Sequence, residues 1–238
     1  MPGPVHTEAV VLRSIRYGEA DRILHLYSVD RGRLAAIAKG SRRSGSRFGG
    51  RLEPFFRLRL DLHEGRSDLL TVTGAETVSP FARLREDADS LTAAARGCDA
   101  VSRLFDSSEP HPEVFNLLCT FLAVLDEDPA RSGPALQVAF RLKLLLAAGL
   151  APQLGQCARC GAGEAITGFS PAAGGVVCTS CEAASFPLDE EGHRFLTTAL
   201  GTSLSELPEP SRGALAQAGR AVDETAEHHG HIRFRPAA

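Results

Sequence analysis

Tryptophan is absent from the 238 residues, methionine occurs once and tyrosine twice, and lysine is outnumbered by arginine 24 to 2. The longest uninterrupted apolar stretches, such as Leu144-Leu145-Leu146-Ala147-Ala148, are far too short to span a bilayer. The opening MPGPVHTEAVVLRS lacks the basic segment, apolar run and small-residue cleavage site of a signal peptide. No Gly-Lys dipeptide occurs, so there is no phosphate-binding P-loop; H-E-x-x-H and G-x-S-x-G are missing too. His63-Glu64 is followed by Gly65, Arg66 and Ser67, without the second histidine of a zinc protease, and Glu190-Glu191 sits where a first helical turn favours acids. These absences are consistent with a binding protein, since no common nucleotide-hydrolysing or hydrolase motif is present, although many active sites have no local signature. At 43% apolar and 23% charged, the chain has enough apolar surface for a core, which excludes a mainly disordered chain.

Acidic side chains are scarce in one place. The formal charge of the whole chain is −3. Residues 1–80 carry thirteen basic and nine acidic side chains, and residues 81–238 thirteen and twenty. Between Arg31 and Arg59 stand nine basic residues (Arg31, Arg33, Lys39, Arg42, Arg43, Arg47, Arg51, Arg57, Arg59) against the single acid Glu53. Surfaces normally mix both signs, so this one-sidedness points to a polyanion partner.

Residues 1–80 read as five strands. Val5–Ile15 is β-rich; Ile23 to Tyr27 and Leu34 to Ala38 follow, separated by the turn Asp30-Arg31-Gly32. Gly40 to Gly50 holds four glycines, three serines and three arginines, a flexible loop. Phe56, Leu58, Leu60 and Leu62 then alternate with Arg57, Arg59, Asp61 and His63, which means one buried and one wet face. Glu64-Gly65-Arg66-Ser67 reads as a hairpin turn before a fifth strand, Leu69–Val78. Five strands in this length fit a small barrel; an OB-fold leads, with an SH3-like barrel of similar strand content.

From residue 81 the period becomes helical. Leu91, Ala94, Cys98, Val101 and Phe105 share a face, as do Val114, Leu117, Leu118, Phe121 and Leu125. Pro134 opens a third helix that Gly149 stops. Asp189–Leu200 and Arg212–His228 are helical again, with Ser211 as N-cap and Gly230 as C-terminal stop. Cys98 and Cys119 read as core thiols, and His228, His229 and His231 as a frayed, solvated tail. The fold class is therefore α+β: an N-terminal barrel over 1–80, a helical domain in two parts, 81–152 and 188–238, and an inserted finger over 153–187.

The finger carries Cys157-x2-Cys160-x17-Cys178-x2-Cys181. Each pair forms a knuckle presenting two sulfurs, and Gly174-Gly175 can turn the intervening chain back as a hairpin. The spacing is that of a structural zinc site. A redox pair, an iron–sulfur site and unligated thiols compete, and two pairs at this distance favour zinc. Four thiolates leave no open position for a substrate water.

The stretch Val11-Leu12-Arg13-Ser14-Ile15-Arg16-Tyr17-Gly18-Glu19-Ala20-Asp21-Arg22-Ile23-Leu24 resembles the opening of the RecO family of bacterial recombination mediators. Ala36-Ile37-Ala38-Lys39-Gly40-Ser41-Arg42-Arg43, Leu52 with Pro54-Phe55, and Leu145 to Pro152 followed by Cys157 and Cys160 are similar to that family in the same order. The resemblance implies a cytoplasmic protein with an OB-fold, a helical domain and a zinc finger. It implies DNA binding, strand annealing, and, with RecR, loading of RecA onto strands coated by single-strand-binding protein, whose acidic tail docks on the helical region. It implies no nucleotide cofactor and no membrane partner.

Charge supplies the expected mechanism. A basic surface lowers the repulsion between two strands and releases counterions. Lys39, Arg42, Arg43, Arg47 and Arg51 lie in or beside one mobile loop, Arg57 and Arg59 extend the track on a wet strand face, and Phe48 is the candidate for base stacking. Tyr17, Tyr27, Phe55 and Phe56 are read as barrel core, with Tyr17 also placed in a turn. Two other classes compete: a zinc-ribbon RNA-binding factor and a metal-dependent nuclease, the latter disfavoured by an all-thiolate site.

Overall fold

The computed structural model describes residues 3–65 and 69–235; Arg66 and Ser67 of the expected hairpin turn lie outside them. The chain divides into two compact units, 1–129 and 130–238.

The first unit is built on a closed barrel of five strands: β1 (Pro4–Tyr17), β2 (Asp21–Ser28), β3 (Gly32–Ala38), β4 (Arg57–His63) and β5 (Leu70–Ser79), in the order β1-β2-β3-β5-β4. This is the OB-fold order, and closure leaves no edge. β1 serves two partners: Pro4–Val10 pairs with β4 and Ala9–Tyr17 with β2, and a bulge at Leu12 redirects it between them. A short parallel pairing, Ala36 with Leu70 and Ile37 with Thr71, closes the ring. The period-two pattern of β4 is realised in full. Leu58, Leu60 and Leu62 are buried with Leu24, Leu26, Leu34, Ala36, Ala38 and Val72 in one core.

Two helices complete the unit. α1 (Ala88–Leu104) is capped by Asp87, whose side chain accepts from the Ser90 N–H at 2.7 Å. α2 (Pro112–Glu127) opens on proline. Cys98 and Cys119 are buried on their apolar faces, as expected of core thiols. Tyr27 is wholly buried, but outside the barrel core, where its ring meets Phe105 edge-on at 6.4 Å. Gly32, at φ +57°, lets the segment after α1 lie against the β2–β3 turn; a Cβ there would stand 2.2 Å from the Glu109 carbonyl oxygen.

The second unit holds α3 (Pro134–Ala147), α4 (Glu190–Gly201) and α5 (Arg212–Gly230) around a small sheet of β6 (Ile166–Ser170), β7 (Gly175–Cys178) and β8 (Phe186–Pro187), ordered β7-β6-β8. Gly149 ends α3 in the left-handed region at φ +72°. Asp189 and Ser211 cap α4 and α5. Gly230 is not the stop: it stays in α5, and His231 takes the left-handed position at φ +54°. His228 and His229 belong to that last helical turn rather than to a frayed tail, and the His229 ring lies 2.8 Å from the Pro171 carbonyl oxygen on the finger. Among the described residues, no helix is long and apolar enough to cross a membrane.

Candidate nucleic-acid interface and cysteine cluster

The cation-rich segment joins β3 to β4 and is folded rather than loose. Gly40 N–H donates to Asp21 Oδ1 at 2.7 Å, and Arg42 N–H to the Ala20 carbonyl at 2.9 Å. Arg42 Nη1 reaches the Gly18 and Glu19 carbonyls at 3.4 and 3.2 Å, tying the segment to the β1–β2 turn. A relay of tight turns follows: Arg43 to Gly40, Ser46 to Arg43, Gly49 to Ser46, and Arg51 to Phe48. The glycines and serines that suggested mobility are used to make these turns.

The turns put Phe48 inside. Its side chain is 2% exposed and joins Leu52 in the barrel core, so it plugs the barrel and offers no face for stacking. The Phe48 assignment is thereby corrected: burying a phenyl ring is worth about 1.5–3 kcal/mol, and a closed barrel needs its end filled. Tyr17 is the reverse case, 53% exposed rather than core. Phe56 is half-buried against the barrel core, as read, whereas Phe55 is buried outside that cluster, with Arg85 5.8 Å from its ring.

The expected track separates into two groups. Lys39, Arg42, Arg43, Arg47 and Arg51 are exposed, and among the described residues no carboxylate pairs with them. Arg57 and Arg59 are compensated. Arg57 Nε pairs with Glu8 across the β1–β4 ladder and sits 5.5 Å from the Phe115 ring, half-buried. Arg59 pairs with Glu76 of β5 at 2.8 Å. Strand register explains both pairs: Glu8 and Glu76 are the two cross-strand partners of Arg59, and Glu8 also stands diagonally from Arg57. Two exposed cations without a carboxylate partner, Arg13 and Arg16, lay before the window that starts at Arg31. Arg13 shares one face of β1 with Ile15 and Tyr17, an alternation that would have found it, whereas Arg16 falls on the other parity.

The four finger cysteines converge. All four sulfurs lie within 4.8 Å of one another, with Cys160 Sγ and Cys178 Sγ 3.7 Å apart, and no disulfide links them. For metal–sulfur bonds of about 2.3 Å, a tetrahedron has an edge of about 3.8 Å. The knuckle is set by the backbone: Gly161 N–H donates to the Cys157 carbonyl at 2.9 Å and Cys157 N–H to Ala162 at 2.7 Å. Gly174, left-handed at φ +78°, makes the expected reversal between β6 and β7, and a Cβ on Gly175 would stand 2.2 Å from the Gln153 carbonyl oxygen. Backbone N–H groups of Cys160 and Cys178 draw the Cys157 thiol down to about 6, while the hydrogen bond with Cys160 and then burial push Cys181 up to about 12. Four thiolates repel one another unless a cation sits among them, so this donor set fits a metal ion.

The family model "Recombination protein O N terminal" matches residues 1–81, and "Recombination protein O C terminal" matches residues 85–235. The protein named "DNA repair protein RecO" of Anaeromyxobacter dehalogenans (strain 2CP-C) is 41% identical over 217 residues, covering 90% of this chain and 82% of the relative. The protein of that name from Rubrobacter xylanophilus is 44% identical over 184 residues, 76% of this chain and 73% of the relative. That from Geobacter sulfurreducens is 34% identical over 226 residues, 92% and 90% of the two chains. A barrel closed in the OB order, a cation-bearing segment without acids and a four-cysteine finger thus stand in a chain that two family models match over residues 1–81 and 85–235, and this chain belongs to the recombination protein O family of DNA repair proteins.

Proposed function

We propose that the chain is a recombination mediator that binds single- and double-stranded DNA, anneals complementary strands and, with RecR, helps load RecA onto strands coated by single-strand-binding protein. The observation that carries this reading is the set Lys39, Arg42, Arg43, Arg47 and Arg51, exposed and without acidic partners on a folded loop. Such a surface takes phosphate from any sequence, and each neutralised phosphate releases counterion. Two strands brought to one cationic surface repel each other less, which is the physical content of annealing. No nucleotide is required, and the chain is read as a non-enzyme.

The metal is zinc, held by Cys157, Cys160, Cys178 and Cys181. Bound there it supplies a cross-link rather than chemistry, since four thiolates leave no position for water. Among the described residues the buried cluster that contains the cysteines is small, Val177 with Ile166 and Ala173 beside the thiols, so the cross-link adds stability where the apolar contacts are few. For the acidic tail of single-strand-binding protein, the groove between α3 and α5 is the candidate dock. It encloses about 510 Å³ and is lined by Val138, Leu215, Ala216 and Gly219; its two carboxylates, Asp223 and Glu224, are paired with Arg141 and Arg220, and Arg212 is a further cation in the lining.

The test is annealing of strands pre-coated with single-strand-binding protein, with and without RecR, by wild type and by Lys39→Glu/Arg43→Glu/Arg47→Glu. The charge-reversed protein should keep its fold and lose DNA binding in anisotropy titrations at several salt concentrations. Unchanged affinity would overturn the reading, and tighter binding to RNA than to single-stranded DNA would move the chain to the RNA-binding class.

A further inference from the structure

The last described residues fold back onto the second unit. α5 ends at Gly230, His231 reverses the backbone at φ +54°, and Ile232 N–H donates to the Ala226 carbonyl at 3.1 Å. From there exposure alternates: His231, Arg233 and Arg235 are exposed, Ile232 and Phe234 half-buried. Period two marks an extended segment with one face laid on the protein. Arg233 pairs with Glu227 of α5. A Cβ on Gly230 would stand 3.2 Å from Leu150 Cδ1 and 3.9 Å from Ile232 Cδ1, so the reversal closes tightly over that glycine.

The segment ends on Arg141 of α3. This arginine is 3% exposed, and its Nη1 donates to Asp223 Oδ1 of α5 at 3.1 Å. Its Nη2 donates to the Arg235 carbonyl oxygen, and the Phe234 ring centre lies 5.3 Å from its guanidinium carbon. Asp223 and Arg235 thus take two donors of a buried cation, and Phe234 covers its face. Arg141 is at the same time a wall of the groove between α3 and α5, which continues past Val138 and Gly219 to Leu215 and Arg212. Gly219 keeps the floor open, since a Cβ there would touch Val138 Cγ2 at 3.5 Å. The groove acids Asp223 and Glu224 are already paired, whereas Arg212 is exposed and, among the described residues, has no carboxylate partner.

An acidic peptide entering the groove meets Arg212 in the open and Arg141 occupied. A carboxylate bond to a guanidinium is about twice as strong as one from a neutral carbonyl, so it can replace the Arg235 oxygen. We propose that residues 232–235 are an internal occupant of the dock: they close its Arg141 end in the free chain, and the acidic peptide binds by displacing Phe234 and Arg235 from that guanidinium. The apparent affinity for the peptide is then the intrinsic affinity multiplied by the fraction of chains in which the segment has lifted. This rests on the docking reading above and goes beyond it in giving the groove a competitor within the chain.

The probe is the fluorescein-labelled tail peptide of the cognate single-strand-binding protein, titrated against the intact chain by anisotropy. Phe234→Ala removes the ring over Arg141 and should tighten peptide binding at least about twofold, the lower end for loss of one cation–π contact. A chain ending at Arg233, which also loses the Arg235 carbonyl, should tighten it further. Ala216→Glu, at an exposed position of the lining, should weaken it. The chain has no tryptophan, so Phe234→Trp keeps an aromatic over the guanidinium and adds a single reporter. Its emission should shift to the red as saturating peptide moves the ring into water, and it decides by itself where another variant fails to fold. Unchanged or weaker peptide binding in both Phe234→Ala and the shortened chain, or an emission that the peptide leaves unmoved, would overturn the proposal, while a loss in Ala216→Glu would keep the dock. Binding that Ala216→Glu leaves intact, or no binding by any of these chains, would end the docking reading and the internal occupant with it.

Discussion

Arg22 of β2 donates through Nη2 to Glu53 Oε1 at 2.7 Å, and through Nη1 to Ser14 Oγ at 3.1 Å. Glu53 is the single acid between residues 31 and 59, yet its partner lies outside that stretch. That acid is spent on anchoring the end of the cationic loop to the barrel, and it pairs with none of the loop cations. The pair is partly solvent-exposed, with Glu53 at 41%, so its own worth is about 0–1 kcal/mol.

Glu53→Gln should therefore cost less than about 1 kcal/mol of stability and release Arg22 as a further cation. The expected result is tighter DNA binding at low salt, with the slope of log affinity against log salt steeper by about 0.7–0.9, the value for one added phosphate contact. Anisotropy at four or five salt concentrations reads both quantities. An unchanged slope would mean that Arg22 never reaches DNA.

Phe48 tests the plug. Phe48→Ala should lose about 3–5 kcal/mol, the usual cost of emptying an aromatic core site, seen as a lower urea midpoint. Phe48→Leu keeps most of the volume and should bind DNA within twofold of wild type. A stacking residue would behave differently, since loss of the ring would cost about 1–3 kcal/mol per stacked base whatever the fold retained.

Phe48 also shows where sequence reading stops. The barrel was legible because β4 alternates strictly, Leu58-Arg59-Leu60-Asp61-Leu62, and because turn residues separate the other strands. The helix starts at Pro134, Asp189 and Ser211 were legible because capping is local chemistry. The cysteine cluster followed from spacing alone. Phe48 was not legible: glycine and serine signal turns equally well in a mobile loop and in a wound plug, and which one forms depends on a barrel mouth built from distant strands. The pairing of Arg57 with Glu8 depends on the β1–β4 register, a relation across 49 positions that composition does not encode. The grouping of α1 and α2 with the barrel in 1–129 rests on contacts such as Tyr27 with Phe105, which no periodicity reveals.

Register predicts unequal arginines. Arg43→Ala and Arg47→Ala should each weaken DNA binding and flatten its salt dependence, because both cations are exposed and uncompensated. Arg57→Ala should leave affinity nearly unchanged and instead lower stability by about 1–3 kcal/mol, since Glu8 is left without its partner in a half-buried site. Paired measurements of anisotropy and urea unfolding on the three variants separate the two effects. A larger affinity loss in Arg57→Ala than in Arg43→Ala would contradict the division.

The cysteine cluster predicts one metal ion per chain by elemental analysis, lost in Cys160→Ser. Removal with a strong chelator should lower the melting temperature and open the finger to proteolysis near Gly161. The cationic loop belongs to the other compact unit, so metal-free protein should keep DNA affinity within a few fold. A preparation free of metal with an unchanged melting temperature would leave the four thiols as an ordinary core.

A final prediction concerns acid. The Thr7 and Ser28 hydroxyls converge on Asp30 Oδ1, Ser28 at 2.8 Å, and Thr7 and Ser28 are themselves 2.6 Å apart beneath it. Burial alone would raise the Asp30 pKa, but the hydrogen bonds from Thr7, Ser28 and the Asp30 backbone, with Arg31 nearby, outweigh it and hold the carboxyl below its ordinary 3.8. A depressed carboxylate binds fewer protons in the folded than in the unfolded state. Its contribution to stability is therefore complete above the unfolded value and is lost as pH falls through about 4 toward the folded one. Asp30→Asn removes the titration and keeps the shape. The stability difference between wild type and Asp30→Asn, from urea midpoints at pH 7 to 3, should be constant down to about pH 5 and shrink below about pH 4. A difference that grows on acidification would mean that the two hydroxyls do not favour the charged form.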